Sequence, residues 1–272
     1  ASCLVGSEMC IRDRDLGCKL FVRTNHGVSL TPEGQRLYSR AAVAFEQLRL
    51  GESELRSDCS LRTGSISIAA SEAALHLTLL NRLDAFHRRY PGIHLRITND
   101  STPRAMEGLL RGQVDCAAAT TPCPVRKSLQ ETALVSFREI LICGSDFHDL
   151  TAETRSLRDL ENLPFVCMSR GTSTYTFYQQ LFLKYNLAFH VEMEAGTMDQ
   201  VLAMVQSNLG VGFYPESMAA PALAAGTVFQ IRLAEPIPER FVNLIEDTSR
   251  PQSVAMKAFK KMLLAPEEEL GG

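Results

Sequence analysis

The sequence predicts an α/β protein in which two doubly wound α/β subdomains follow a small β-hairpin unit and one long helix. Three observations carry this prediction. From Leu61 onward, short apolar strands alternate with amphipathic helices, the order that builds parallel-rich sheets with helices on their faces. That order runs through twice, with the chain crossing between units near 134–138 and returning near 233–238. Ahead of it, residues 32–56 hold one continuous helical apolar period. At 272 residues, 45% of them hydrophobic and 22% charged, the chain is large enough for more than one packed core.

At the front, Gly17 after Leu16 suits the left-handed position that closes a helix. Leu20 and Phe21 begin a short strand, Arg23 precedes the polar turn Thr24-Asn25-His26-Gly27, and Val28-Ser29-Leu30 form the return strand. Thr31 caps the next helix with Pro32 at its first position, where a missing N–H costs no hydrogen bond. Residues 15–31 thus form the strand–wing–strand end of a winged helix-turn-helix, with Arg23, Asn25 and His26 as its candidate DNA contacts. A neutral imidazole at His26 offers no permanent phosphate contact, and Arg23 can equally be a structural residue of the wing base. Along 32–56, Leu37, Ala41, Ala44, Leu48 and Leu55 fall near heptad spacing, Phe45 widens the stripe and Gly51 leaves one slot small. Such a stripe must be covered, either by a second copy of the chain as a dimerisation seam or by the helix's own domain. Ser57-Asp58-Cys59-Ser60 then breaks the helix, so linker and hinge occupy 32–60.

In the α/β region, strands are predicted at 66–70, 93–98, 114–119, 139–143, 165–168, 190–194, 210–214, 228–233 and 241–246. Helices are predicted at 72–89, 103–111, 175–185, 198–207, 216–223 and 253–264. The domain spans 61–265, with subdomain I at about 61–134 and 239–265, subdomain II at about 139–233, and a solvated tail at 266–272. Open α/β sheets bind ligands beyond the carboxyl ends of their strands, at helix N-termini. The residues at those ends are Ser71 and Glu72, Thr120 and Thr121, Thr172, Ser173 and Thr174, and Gly196 and Thr197, with Arg170 as the nearest cation. Hydroxyls and helix N–H groups facing one cleft suit a carboxylate, another small anion, or an amino-acid-like metabolite. Each Ser or Thr taken singly is equally an ordinary helix cap. Glu72 could repel an anion, recognise an amino group, or point outward as helix N-terminal charge. Arg170 could be a solvated loop residue.

Charge and composition exclude several classes. A net charge of −3 provides no general basic field for nucleic acid, and residues 15–60 hold six Lys and Arg against six Asp and Glu. The eight cysteines are irregularly spaced without a CxxC pair, and Cys116, Cys143 and Cys167 sit in apolar runs as core thiols do. The six histidines show no clustering with cysteine, so no metal is expected, and no cofactor. No apolar run reaches the ~18–20 residues that span a bilayer. No charged-then-apolar leader is evident either, so no membrane partner and a cytoplasmic location are expected.

The pattern L-G-x-x-L-F-x-R-x-x-x-G-x-x-L-T-x-x-G, read here at Leu16, Gly17, Leu20, Phe21, Arg23, Gly27, Leu30, Thr31 and Gly34, closely resembles the LysR-type transcriptional regulators. Residues 62–97, GLLRGQVDCAAAT at 108–120 and VQSNLGVGFYPESMA at 205–219 resemble the same family's effector domain. The resemblance covers about 15–265 and implies a type 2 periplasmic-binding-protein-like effector domain behind a DNA-reading module. It also implies a homodimer or homotetramer, no enzymatic activity, and a small-molecule effector between the subdomains that controls transcription from DNA. In that family the helix-turn-helix proper precedes the wing. Only fourteen residues precede Asp15 here, without helical period, so the chain is expected to lack the recognition helix and DNA binding is expected of an intact parent protein. Met9-Cys10-Ile11-Arg12-Asp13-Arg14 resembles a translated frame of a sequencing-library adaptor, which makes 1–14 a non-native leader; the alternative is a divergent native N-terminus. Two rivals share the α/β scaffold. An enzyme would need a nucleophile–base pair, a metal cluster or a phosphate loop, and none is legible. A solute-binding receptor would have no use for the wing and the seam helix.

Overall fold

The computed structural model describes residues 16–24, 27–57, 61, 63–123 and 126–265. It divides into two units, Ala1–Arg56 and Ser57–Gly272. In the first, β1 (Phe21–Thr24) and β2 (Gly27–Leu30) pair antiparallel with Phe21 opposite Leu30, and α1 (Pro32–Ser57) follows. Gly17 adopts φ +66°, the helix-closing geometry. Thr31 ties the hairpin to the helix: its hydroxyl donates to the Lys19 carbonyl (2.6 Å) and accepts from the Gly34 N–H (2.9 Å). Gly34 is needed there because a Cβ would stand 2.0 Å from the Leu20 carbonyl oxygen. Along α1, Leu37, Ala41, Ala44, Phe45 and Leu48 are all exposed, Phe45 at 69% and Leu48 at 70%. Asn25 and His26 lie outside the described residues, as do the side chains of Arg23 and Leu55.

The second unit runs β3 (Gly64–Ala70), α2, β4 (Ile93–Asn99), α3 (Thr102–Leu110), β5 (Cys116–Thr120), β6 (Leu129–Phe137) and β7 (Glu139–Cys143). Helix α2 is continuous through Glu72–Ala74, a π-type stretch Leu75–Leu79, and Leu80–Arg89. After two 3-10 turns come β8 (Phe165–Met168), α4 (Ser173–Lys184), β9 (Val191–Ala195), α5 (Met198–Gln206), β10 (Gly212–Pro215) and α6 (Glu216–Ala224). The chain ends in β11 (Phe229–Ile231), β12 (Arg240–Asp247) and α7 (Val254–Leu264).

Subdomain I is a five-stranded sheet in the order β4-β3-β5-β12-β6. The two-residue period of its central strands sorts the core. Ile66, Ile68 and Ala118 face Leu79, Leu83 and Phe86 of α2 and Met256 and Phe259 of α7. Ala69, Ala117 and Ala119 face Ala105, Met106 and Leu109 of α3 on the other side. The parallel order expected from βαβα repetition holds for β4-β3-β5, whereas β12 joins β5 antiparallel and β6 joins β12 antiparallel. Subdomain II has β10-β7-β11 paired antiparallel and β8-β9 parallel, joined by an isolated parallel bridge from Phe165 to Val211. Its core is aromatic: Phe165 packs edge-on to Phe182 (5.4 Å, 87°), and Tyr178 stacks on Phe213 (4.4 Å, 18°).

Two expectations are corrected. Residues 134–138 are not simply a crossing, because 129–137 form strand β6, so subdomain I extends past 134 and the chain passes to β7 at Arg138. This strand has a half-exposed pattern with Gln130 and Glu131 outward, and its apolar residues are too scattered to read as a strand alone. The single α-helix expected at 72–89 contains the π-type stretch, a local insertion that sequence periodicity does not mark.

Candidate functional site

The strand ends of the two subdomains open into one cavity of about 490 Å³. Ser71, Glu72, Thr120, Arg170, Thr172, Ser173, Thr174, Gly196 and Thr197 all line it, together with Asp100, Ser101, Thr102 and Ser169, which the sequence did not single out. Thr121 is not among the lining residues. Its Oγ1 accepts from the Phe241 N–H (3.0 Å) and its carbonyl from Arg240 Nε (2.8 Å), so it serves the strand junction behind the cavity.

Several polar groups that looked available already serve as acceptors, although the Ser71 and Thr197 hydroxyls keep an O–H to donate. Ser71, Thr172 and Thr197 are helix caps, accepting from the N–H groups of Ala74 (3.3 Å), Tyr175 (3.1 Å) and Gln200 (3.2 Å). The Thr172 hydroxyl also donates to the Ser169 carbonyl (2.8 Å). The Gly196 N–H donates to Gln200 Oε1 (2.8 Å). Arg170 pairs with Glu194 at 3.4 Å on the surface and stays mostly exposed.

The group with the greatest leverage on the cavity went unread in the sequence. Arg240 is 2% exposed at the start of β12. Its guanidinium donates to Glu139 Oε1 (2.9 Å), Thr120 Oγ1 (2.9 Å) and Thr174 Oγ1 (3.2 Å), and packs against Phe177 and Phe137. The Tyr178 hydroxyl donates to the other oxygen of Glu139. Burial, and then the Glu139 carboxylate, push the Tyr178 phenol well above its ordinary range, so it stays a donor. Because Arg240 fills an acceptor site on both Thr120 and Thr174, those hydroxyls are left to donate. No described residue accepts their protons, nor those of the Ser173 and Thr174 N–H groups in the first turn of α4. The floor of the cavity is therefore a donor surface with the buried Arg240–Glu139 ion pair behind it. No signal in the sequence marks this, because Arg240 and Glu139 are 101 residues apart and each stands beside an apolar strand.

Glu72 reaches across the opening from α2. Its Oε2 accepts from the Met198 N–H (2.5 Å) and the Asp199 N–H (3.4 Å), at the N-terminus of α5 in subdomain II. Partial burial raises its pKa above the usual carboxylate value; the Met198 N–H pulls it down and the Asp199 carboxylate pushes it up. Glu72, His76 and Asp199 bring their ligating atoms within 4.8 Å of one another, a grouping of three that could hold an ion and that sequence spacing does not reveal.

Three of the five described thiols are core residues. Cys116, Cys143 and Cys167 are buried, and burial pushes Cys143 up to about 11 and Cys167 to about 12. Among the described residues, no helix is long and apolar enough to cross a membrane.

Residues 60–266 match the family described as the LysR substrate binding domain. The HTH-type transcriptional regulator YofA of Bacillus velezensis is 27% identical over 205 residues, which cover 75% of this chain and 68% of that protein. The HTH-type transcriptional regulator BbuR of Bordetella bronchiseptica is 25% identical over 226 residues, covering 83% of this chain and 68% of that protein. Full-length CbnR, solved in complex with its target DNA, shares the fold with a TM-score of 0.73 at 18% identity, over 95% of this chain and 88% of that one. The effector binding domain of QuiR, solved with shikimate, superposes with a TM-score of 0.66 at 17% identity, over 74% of this chain and 96% of that one. The α/β region with its cleft is thus the substrate binding domain, and the chain belongs to the LysR family of transcriptional regulators.

Proposed function

We propose that this protein is an effector-responsive transcriptional regulator, not an enzyme, acting in the cytoplasm, with a small acidic metabolite bound in the cavity between its two α/β subdomains. The observation that carries the effector class is the donor floor: the Thr120 and Thr174 hydroxyls and the first turn of α4, with Arg240 behind them. Free hydroxyl and helix N–H donors at one end of the cavity favour a carboxylate or phosphate over a neutral ligand. The effector touches both subdomains at once, because Thr120 ends β5 and Thr174 lies in the first turn of α4. Its differential affinity for two cleft geometries then shifts the arrangement of paired DNA readers.

A thermal-shift screen of small carboxylates and amino acids tests this. A ligand at 100 times its Kd stabilises the protein by about 2.7 kcal/mol. Thr174→Val, which removes one hydroxyl donor and keeps the side-chain volume, is expected to weaken such a ligand about tenfold. A hit whose affinity is untouched by Thr174→Val would place its site elsewhere.

Self-association is the second part of the proposal. The exposed stripe of Leu37, Ala41, Ala44, Phe45 and Leu48 on α1 suits a second copy of the same helix. Phe45→Glu is expected to shift the protein toward monomer in sedimentation at micromolar concentration. An unchanged oligomer would assign the seam to another surface.

A further inference from the structure

We infer that Glu72 sets the charge of the effector: it is a tethered carboxylate that fills the α5 anion position, so the cleft accepts one acidic group, at α4. This rests on the effector reading above and adds to it a selection between monoacids and diacids.

Four helix N-termini meet at the cavity, and they differ in what already neutralises them. At α5, the Met198 and Asp199 N–H groups are bonded to Glu72, the Gln200 N–H to Thr197 and the Gly196 N–H to Gln200. Asp199 adds a further negative charge in the same turn. The α2 terminus carries Glu72 itself, and at α3 Asp100 stands just ahead of the Ser101 cap while Arg104, also on the cavity, lies in the first turn, so its charges offset. The α4 terminus has no acidic residue in its first turn, free N–H groups at Ser173 and Thr174, and Arg240 behind it. A ligand carboxylate therefore finds its unopposed set of free donors at α4. A second carboxylate directed toward α5 would meet Glu72 and Asp199, and like charges in a partly buried cleft repel strongly.

The contact is also placed to be sensed. Glu72 belongs to α2 of subdomain I and Met198 to α5 of subdomain II, 126 residues apart, so the bond exists only while the two subdomains hold this spacing.

The test uses the full chain and two matched pairs of probes: butyrate with succinate, and benzoate with phthalate. Affinities and backbone amide shifts are followed by NMR in wild type, Glu72→Ala and Glu72→Gln. In wild type, the monocarboxylates are expected to move the Ser173 and Thr174 amides and to bind more tightly than their dicarboxylate partners. In Glu72→Ala, the dicarboxylate-to-monocarboxylate affinity ratio is expected to rise about tenfold, with the Met198 and Asp199 amides now responding to the dicarboxylate. Glu72→Gln keeps an acceptor for Met198 but no charge, and is expected to move the ratio in the same direction by less. If the α4 amides respond in all three proteins and the ratio stays put, Glu72 has no selective role and the effector reading stands. If no cleft amide responds to any probe in any of the proteins, the effector reading itself fails, and this inference with it.

Discussion

Replacing Arg240 with methionine is expected to cost the α/β unit about 3–5 kcal/mol in denaturant unfolding, the range for stranding one partner of a buried ion pair. Arg240 and Glu139 are 2% and 5% exposed, and their bond is 2.9 Å. Without the guanidinium, which packs on Phe137 and Phe177, Glu139 keeps only the Tyr178 hydroxyl among its side-chain partners, and its buried charge is left uncompensated. The double variant Arg240→Met/Glu139→Leu removes both charges and is expected to recover most of the loss, since well-packed apolar replacements of a buried pair are often close to neutral. A single-variant cost under about 1 kcal/mol would mean that water reaches the pair and that it is not a structural tie. The position of the pair gives it a second consequence. Glu139 opens β7 immediately after the chain leaves subdomain I, and Arg240 opens β12 immediately after it returns. Both crossings are pinned at one point, with Thr120 and Thr174 hung from the same guanidinium. Arg240→Met is therefore expected to abolish effector-induced stabilisation as well as lower basal stability.

Phe165→Ala is expected to destabilise by a similar amount, about 3–5 kcal/mol, by loss of transfer energy and creation of a cavity. Phe165 is 1% exposed and meets Phe182, Phe189 and Phe213 at centroid distances of 5.4, 5.4 and 6.1 Å. It also carries the bridge from β8 to Val211, the link between the two small sheets of subdomain II. Phe165→Leu preserves most of the volume and is expected to cost far less. Equal losses for Ala and Leu would show that aromatic edge geometry, not volume, holds this core. Because β8 leads directly into Thr172 and α4, the alanine variant should also blunt ligand binding at the α4 terminus.

Much of this architecture was legible without coordinates. The strands at 139–143 and 165–168 are legible at their observed bounds because both are short, apolar apart from Glu139, and bounded by polar or Gly/Pro-containing segments. The helices carried Ser71, Thr172, Thr197 and Ser253 as caps and Gly112 as a stop, signals that lie within four residues of the event they mark. Strand β6 was missed because it is a partly exposed edge strand whose partner, β12, lies more than a hundred residues onward. For the site, the strand-end rule brought together every chosen lining residue except Thr121, whose hydroxyl and carbonyl face back into the β12 junction.

The sequence by itself determined the local structure: where strands and helices start and stop, which faces are apolar, and that small polar residues follow strands at helix starts. Those properties follow from backbone geometry and side-chain character over a few residues, and any short window contains them. Only the tertiary structure decided which of those polar groups are free. It committed Ser71, Thr172 and Thr197 to caps, set Arg240 behind Thr120 and Thr174, and laid Glu72 on the N-terminus of α5. Each such commitment depends on atoms from segments as much as 126 residues apart meeting within hydrogen-bond distance, and the charge and polarity of a cleft are sums over such meetings.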